Sequence, residues 1–289
     1  MTAPATPAAA IIVPHFDDVA RLVRGLEALR PQLGPEMELV VVDNGSTQDL
    51  GPARAALPGL RVVTEPGRGA ALARNRGVAE TSAPRLFFID SDCVAAPDWV
   101  ATALRVADRA DLVGGTVTVF DETEGPRSGA QAFETVFAFD FKSYIERKGF
   151  SGSGNLLTTR RVFEAVGGFR PGLSEDLDWC RRATAAGFTL VHEDSLRVAH
   201  PTRADWPALA RKWRRVTDES WGLRGRSARG RALWALRALL MPLSALAHAP
   251  RVLRHPGLRD GGERARALLT LARLRLARAG WMLGQAGRG

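Results

Sequence analysis

Cysteine is nearly absent from this 289-residue chain: the two present, Cys93 and Cys180, belong to no C-x-x-C or other metal-ligand spacing. That excludes a disulfide-stapled scaffold and a cysteine-built zinc centre, and a reducing compartment is expected. Long apolar runs are also missing. The longest late stretch, Ala238 to Pro250, is shorter than a bilayer span and contains Pro242 and His248, so any membrane contact is expected to be peripheral. Met1 to Ala10 has neither a basic n-region nor a long apolar core, so no secretory signal is read there, and residues 1–8 are expected to be disordered. No strand-borne G-x-G-x-x-G, Walker sequence or internal repeat occurs. Acids become scarce late in the chain. Residues 1–200 hold 21 Lys and Arg against 26 Asp and Glu, whereas residues 201–289 hold 19 against 5. A slightly acidic body therefore carries a basic C-terminal segment, which calls for an anionic partner such as a membrane surface or nucleic acid.

What is present is an alternation of buried strands and amphipathic helices, with 45% hydrophobic residues to build a core. Strands are read at Ala9 to Pro14, Met37 to Val42, Arg61 to Thr64 and Arg85 to Ile89, with helices at Ala20 to Leu29 and Gly69 to Ala79 between them. That spacing predicts right-handed crossovers and a mixed, mainly parallel α/β sheet flanked by helices. After about residue 110 come a strand at Leu112 to Phe120, a helix at Gln131 to Ile145, and a Gly- and Ser-rich loop at Gly149 to Asn155. Helices at Arg160 to Val166 and Glu175 to Ala186 follow, then short strands at Thr189 to Val191 and Ser195 to Ala199. From Trp206 the chain reads as basic helix, interrupted at Gly222 to Gly230 and His255 to Gly262.

Three acidic clusters fall at the ends of these elements: Asp43 with Asp49, Asp90 with Asp92, and Glu175 with Asp176 and Asp178. Asp90 and Asp92 bracket Ser91 just past a buried strand, where both carboxylates can reach one hard cation; Mg²⁺ and Mn²⁺ favour such oxygen ligands and bridge phosphates. Asp43 opens the turn Asp43-Asn44-Gly45-Ser46-Thr47 at the strand end where ligands gather on an open α/β sheet.

In order and spacing these stretches resemble the family 2 glycosyltransferases. The matching residues are Val40 to Asp49, Gly69 to Gly77 (GAALARNRG), Phe87 to Asp92, Gly167-Gly168-Phe169, Glu175 to Arg182 and Ala186-Gly187-Phe188, so the likeness spans about residues 9–205. It implies a GT-A (Rossmann-like) fold: a nucleotide-sugar-binding half over 9–110, an acceptor-binding and catalytic half over 111–205, and here a basic amphipathic helical extension over 206–289. It also implies inverting transfer from a nucleotide-sugar donor to a hydroxyl acceptor, with Mn²⁺ or Mg²⁺. By position, Pro14, Asp43, Ser46, Arg74 and Asp90 would bind the nucleotide. Asp92 would hold the metal, with help from Asp90 and from His200, His192 being the rival histidine. Asp176 would be the catalytic base, and Glu175, Asp178, Gly154 and Asn155 would support it or the acceptor. Asp178's role stays open, and His15 is expected only to line the nucleotide pocket. Processive members carry a Q-x-x-R-W motif; this chain has only Lys212-Trp213-Arg214-Arg215 there, so transfer of a single sugar is expected.

Two readings stand for the C-terminus. On a helical wheel Ala265, Leu269, Ala272, Leu276, Ala279 and Leu283 share a stripe flanked by Arg264, Arg266, Arg273 and Arg275, which suits a helix lying in a membrane interface. Leu271, Leu274 and Trp281 on the other face suit packing on the body. The first is favoured, placing the protein in the cytoplasm on the inner face of the cell membrane, where a lipid-linked acceptor or an envelope or exopolysaccharide precursor fits. The rivals are a nucleotidyltransferase, which lacks its glycine-rich loop at Ile12 to Phe16, and a non-catalytic protein using the basic tail. No zinc pattern, RNA-binding aromatic signature or helix-turn-helix accompanies that charge, so no nucleic acid is expected as a partner.

Overall fold

A computed structural model describes residues 7–172, 174–222 and 227–287. The expectation of a disordered N-terminus falls mostly on residues 1–6, and part of the expected break at Gly222 to Gly230 falls on 223–226; both lie outside the described residues. In chain order the elements are β1 Ala9–His15, α1 Val19–Leu29, β2 Met37–Asp43, α2 Gly51–Ala56, β3 Arg61–Thr64, α3 Ala70–Ala79, β4 Arg85–Ile89, β5 Val94–Ala95, α4 Trp99–Val106 and β6 Leu112–Phe120. Then follow α5 Gly129–Phe137, α6 Phe141–Lys148, β7 Asn155–Thr159, α7 Arg160–Val166, α8 Glu175–Ala185, β8 Leu190–Pro201, α9 Trp206–Gly222, α10 Ala228–Leu240, α11 Leu243–Leu253 and α12 Gly261–Ala286.

The strands form one sheet in the order β3-β2-β1-β4-β7-β6-β8-β5. β1 pairs in parallel with β2 and β4, and β2 with β3, whereas β7 runs antiparallel to β4 and β6, and β5 antiparallel to β8. The parallel strands are apolar on both faces, as a sheet covered on both sides requires. Ile11, Val13, Val41 and Phe87 turn toward α1 and α4; Ile12, Val40, Val42 and Phe88 turn toward α3, α7 and α8. On α1, Val19, Leu22, Leu26 and Leu29 recur every three or four residues and are buried, the stripe that docks the helix on the sheet. Gly77 lets α3 lie close: a Cβ there would sit 2.4 Å from Ile12 Cγ2.

The sheet is mixed and mainly parallel over its first half, as expected. Two local expectations are corrected. The single helix at Gln131 to Ile145 is two, α5 and α6, because Phe139 takes a left-handed backbone (φ 50°) that no helix tolerates, and Asp140 then caps α6 through the Ser143 N–H. The two short strands after Thr189 are one, β8, whose acidic stretch His192-Glu193-Asp194 continues the strand.

The chain divides into two compact units, one of Met1–Thr118 with Phe139–His200, the other of Val119–Ala138 with Pro201–Gly289. The boundary expected at residue 205 therefore differs from the structural one, because α5 belongs with the C-terminal helices. In that second unit α12 packs on α5, α9, α10 and α11. Its core gathers Phe133, Val136, Leu209, Val252, Leu271 and Leu274, with Trp234, Ala238 and Met282 in a second cluster. Glu134 of α5 is buried there and accepts hydrogen bonds from Arg203 and Lys212.

Candidate active site

The first unit brings the carboxyl ends of β1, β2 and β4 to one edge of the sheet, the edge where open α/β sheets bind ligands. His15 and Asp43 face each other in register there. His15 is buried, neither ring nitrogen has a hydrogen-bond partner, and burial lowers its pKa against the pull of Asp43. Two unsatisfied nitrogens in one buried ring are costly unless water or a ligand meets them. Sequence reasoning gave His15 only a lining role; its position before an acid-rich turn was the available signal. Asn44 braces the next loop, donating to the carbonyls of Glu65 and Gly67 and accepting from the Gly69 N–H. Ser46 Oγ accepts from the Asp17 N–H, and Asp17 in turn accepts from the Thr47 and Gln48 N–H groups, so Ser46 stitches β1 to the turn after β2. Pro14 is buried within β1 opposite Val42.

Arg74, on α3, is the centre of the next layer. Its guanidinium is buried, donating from Nη2 to Asp90 Oδ1 at 2.6 Å and from Nη1 to Glu175 Oε1 at 3.1 Å, with the Phe169 ring beneath it. Burial works against its charge, but Asp90, Asp176 and Glu175 outweigh burial and raise its pKa. Arg74 therefore ties the strand-end acid to the acidic start of α8. Asp176 is only partly buried as a residue, yet its Oδ1 is shielded, and the buried hydroxyl of Ser153 lies beside this carboxyl. Burial pushes the Asp176 carboxyl up to about 6, Arg74 opposing and Glu175 adding to the rise. A carboxylate whose pKa lies near neutrality is suited to accept a proton.

Asp92 and His200 meet: His200 Nε2 lies 2.9 Å from Asp92 Oδ2. The pairing of β5 with β8 explains it. Val94 pairs with Ala199 in antiparallel register, which sets the residues just before Val94 beside His200. Phe139 packs on the imidazole at 4.6 Å between ring centroids, so the left-handed turn that breaks the expected helix also backs this histidine. His192, the rival, sits instead beside Thr116 and Asp194. Among the described residues no three His, Cys, Asp or Glu side chains gather to hold a metal ion. One carboxylate and one imidazole are a fitting donor pair for a divalent ion that takes the rest of its shell from substrate phosphates and water. Asp90, expected to help hold the metal or the nucleotide, has Oδ1 engaged by Arg74, which links that residue to the strand end and leaves Oδ2 for either role.

The remaining candidates support this frame. At Gly154 a Cβ would come within 2.7 Å of Asp90 Oδ2, so only glycine lets the loop pass that carboxylate. Asn155 is fully buried, donating to the carbonyls of Thr116 and Leu196 and accepting from Trp99 Nε1. Its side chain is spent inside the sheet, so of the two roles expected for it, support or acceptor contact, its hydrogen bonds are those of support. Asp178 accepts from Arg182, whose other nitrogens bind the carbonyls of Val166 and Gly168, and Asn75 both donates to and accepts from the Phe169 backbone. Asp178 thus fixes the Gly-Gly-Phe turn that seats Phe169 under Arg74. Arg76 lies on the wet face, paired with Glu80.

The archaeal glycosyltransferase AglE of Haloferax volcanii is 29% identical over 223 residues, covering 72% of this chain and 71% of its own length. The succinoglycan biosynthesis protein ExoO of Rhizobium meliloti is 30% identical over 116 residues, 39% of this chain and 32% of its own length. Among solved structures, the mannosyltransferase PcManGT from Pyrobaculum calidifontis, in complex with GDP-Man and Mn²⁺, covers 98% of this chain and 74% of its own at TM-score 0.52 and 19% identity. GalNAc-T7 with UDP, GalNAc and Mn²⁺ covers 74% and 48% at TM-score 0.53 and 16% identity. These likenesses show the GT-A fold. The family model for Glycosyl transferase family 2 matches residues 10–177, which take in Asp43, Arg74, Asp90, Asp92 and Asp176, and with more than half of its length so matched the chain belongs to that family.

Proposed function

We propose that this glycosyltransferase is metal-dependent and inverting, and that it moves one sugar from a nucleotide-sugar, first of all a UDP-sugar, to a hydroxyl acceptor. The observation that carries the reading is Asp176: a shielded carboxylate raised to about 6, linked through Arg74 to the Asp90-Ser91-Asp92 edge. Asp43 and His15 bind the nucleobase, Asp43 accepting hydrogen bonds and the buried imidazole meeting a polar edge with its free nitrogens. Asp92 and His200 would hold Mn²⁺ or Mg²⁺, which when bound supplies Lewis-acid neutralisation of the leaving diphosphate. Asp176 takes the proton of the acceptor hydroxyl as that oxygen attacks the anomeric carbon from the face opposite the diphosphate, so the configuration inverts. Arg74 keeps Asp176 ionised enough to do this near neutral pH while holding Asp90 in place.

Family membership sets aside the nucleotidyltransferase and non-catalytic readings. The complexes of PcManGT with GDP-Man and of GalNAc-T7 with UDP support nucleotide-sugar use with Mn²⁺ here, and the likeness to ExoO supports an acceptor in polysaccharide assembly. A panel of UDP-, GDP- and dTDP-sugars with Mn²⁺, read by nucleoside diphosphate release, tests the proposal. One donor is expected to be turned over and EDTA to stop it; turnover unaffected by chelation would remove the metal from the mechanism.

A further inference from the structure

The second unit carries an apolar surface that its own fold does not use. On α12, Leu269, Leu276 and Leu283 recur every seven residues and are exposed, Leu269 by 72%, while Ala267, Leu271, Leu274 and Met282 are buried on the opposite side. The same division holds on α10, where Trp234 and Ala238 are buried and Leu236 and Leu240 exposed, and on α11, where Val252 is buried and Leu246 is 74% exposed. Exposed leucines on three neighbouring helices exceed the single apolar residues of an ordinary surface.

The charges around them name the occupant. From Ser227 onward the chain has twelve arginines, no lysine and two acids, Asp260 and Glu263. Both acids serve the start of α12: Asp260 caps it, and Glu263 is buried against Arg127. On the inner side, Arg278 stacks on Trp213 and donates to Thr217, and among the described residues no carboxylate pairs with Arg278 or Arg275. Burial lowers the pKa of both, that of Arg278 to about 10, and repulsion from Arg237 adds to it. A second copy of the chain would press arginines against arginines, and a nucleic acid would meet leucines.

We propose that α10, α11 and α12 form a docking face for an anionic lipid bilayer, with the leucines entering the acyl boundary and the exposed Arg237 and Arg273 meeting lipid phosphates. The contact is peripheral. No single described helix is long and apolar enough to cross a membrane; α10 and α11 reach that composition only as a pair bent by 49°, and Trp234 and Ala238 on α10 are already packed in the protein.

This face is independent of the catalytic proposal and is tested without turnover, by floating the full-length protein with phosphatidylcholine vesicles with or without phosphatidylglycerol. The wild type is expected to float with the anionic vesicles, to stay down with the neutral ones, and to be released by high salt. A triple variant, Leu236→Gln, Leu240→Gln and Leu246→Gln, is expected to lose flotation at least about tenfold with an unchanged melting temperature. Leu269→Gln with Leu276→Gln repeats the test on α12 should the triple variant misfold. A wild type that stays down with anionic vesicles at low salt would overturn the proposal, as would variants that fold and float like it. A dimer in solution that the leucine substitutions dissolve would also overturn it, assigning the face to a second copy.

Discussion

Replacing Asp176 with asparagine keeps the shape of the α8 start and removes the charge that accepts the proton. We expect Asp176→Asn to lower turnover by about 10²–10⁴ and to leave donor affinity within about twofold. The wild-type rate is expected to rise with pH through about 6, since the base works ionised. Stability follows the opposite sign. The folded-state value lies above that of an unfolded aspartate, so the group favours the fold most below pH about 4 and loses that contribution as pH rises through about 6. Asp176→Asn is therefore expected to be more stable than wild type near pH 7.5, by about 1–3 kcal/mol in denaturant unfolding. Arg74→Gln removes the cation that opposes the rise at Asp176. The rising limb of its pH profile is expected to move to higher pH; an unmoved limb would separate Arg74 from the base.

At the scale of elements, the site is a set of strand and helix ends braced by side chains that bond within the protein itself. Asn155 joins β6, β8 and α4 through three buried hydrogen bonds, and Asn155→Leu is expected to cost about 3 kcal/mol or more by leaving those partners unsatisfied. Thermal melting checks this. The strands carrying Asp43 and Asp90 were legible because buried parallel strands read as continuous apolar runs ending in turn residues. Asn155 was not legible as a clamp: its partners lie 39 to 56 residues away, and an Asn after a Gly-Ser loop reads as a polar loop residue. Nor was the break at Phe139, whose aromatic neighbours keep a helical period while the backbone turns left-handed. Helix α4 escaped because three residues separate it from the two-residue strand β5 and it is only eight residues long, too short a stretch for its helical period to stand out.

Across the whole molecule, the resemblance carried by a few motifs gave the family and the fold. The partition of the chain escaped it. α5 follows β6 in sequence yet belongs with the C-terminal helices: Phe133 and Val136 join their core, and Glu134 binds Arg203 and Lys212, where burial lowers the Lys212 ammonium to about 8 against the pull of Glu134. Glu134→Gln leaves two cations buried together and is expected to destabilise that unit by about 3 kcal/mol, seen as earlier unfolding by tryptophan fluorescence. The wheel stripe of leucines was legible and is exposed, while its Ala279 is buried beside Met282. The central claim joins one base to one donor site, and the most direct measurement is a paired one on Asp176→Asn: calorimetric binding of the donor that the panel identifies, and diphosphate release with its acceptor. Retained binding with transfer lost is the expected result. Transfer at the wild-type rate would contradict the assignment of the base.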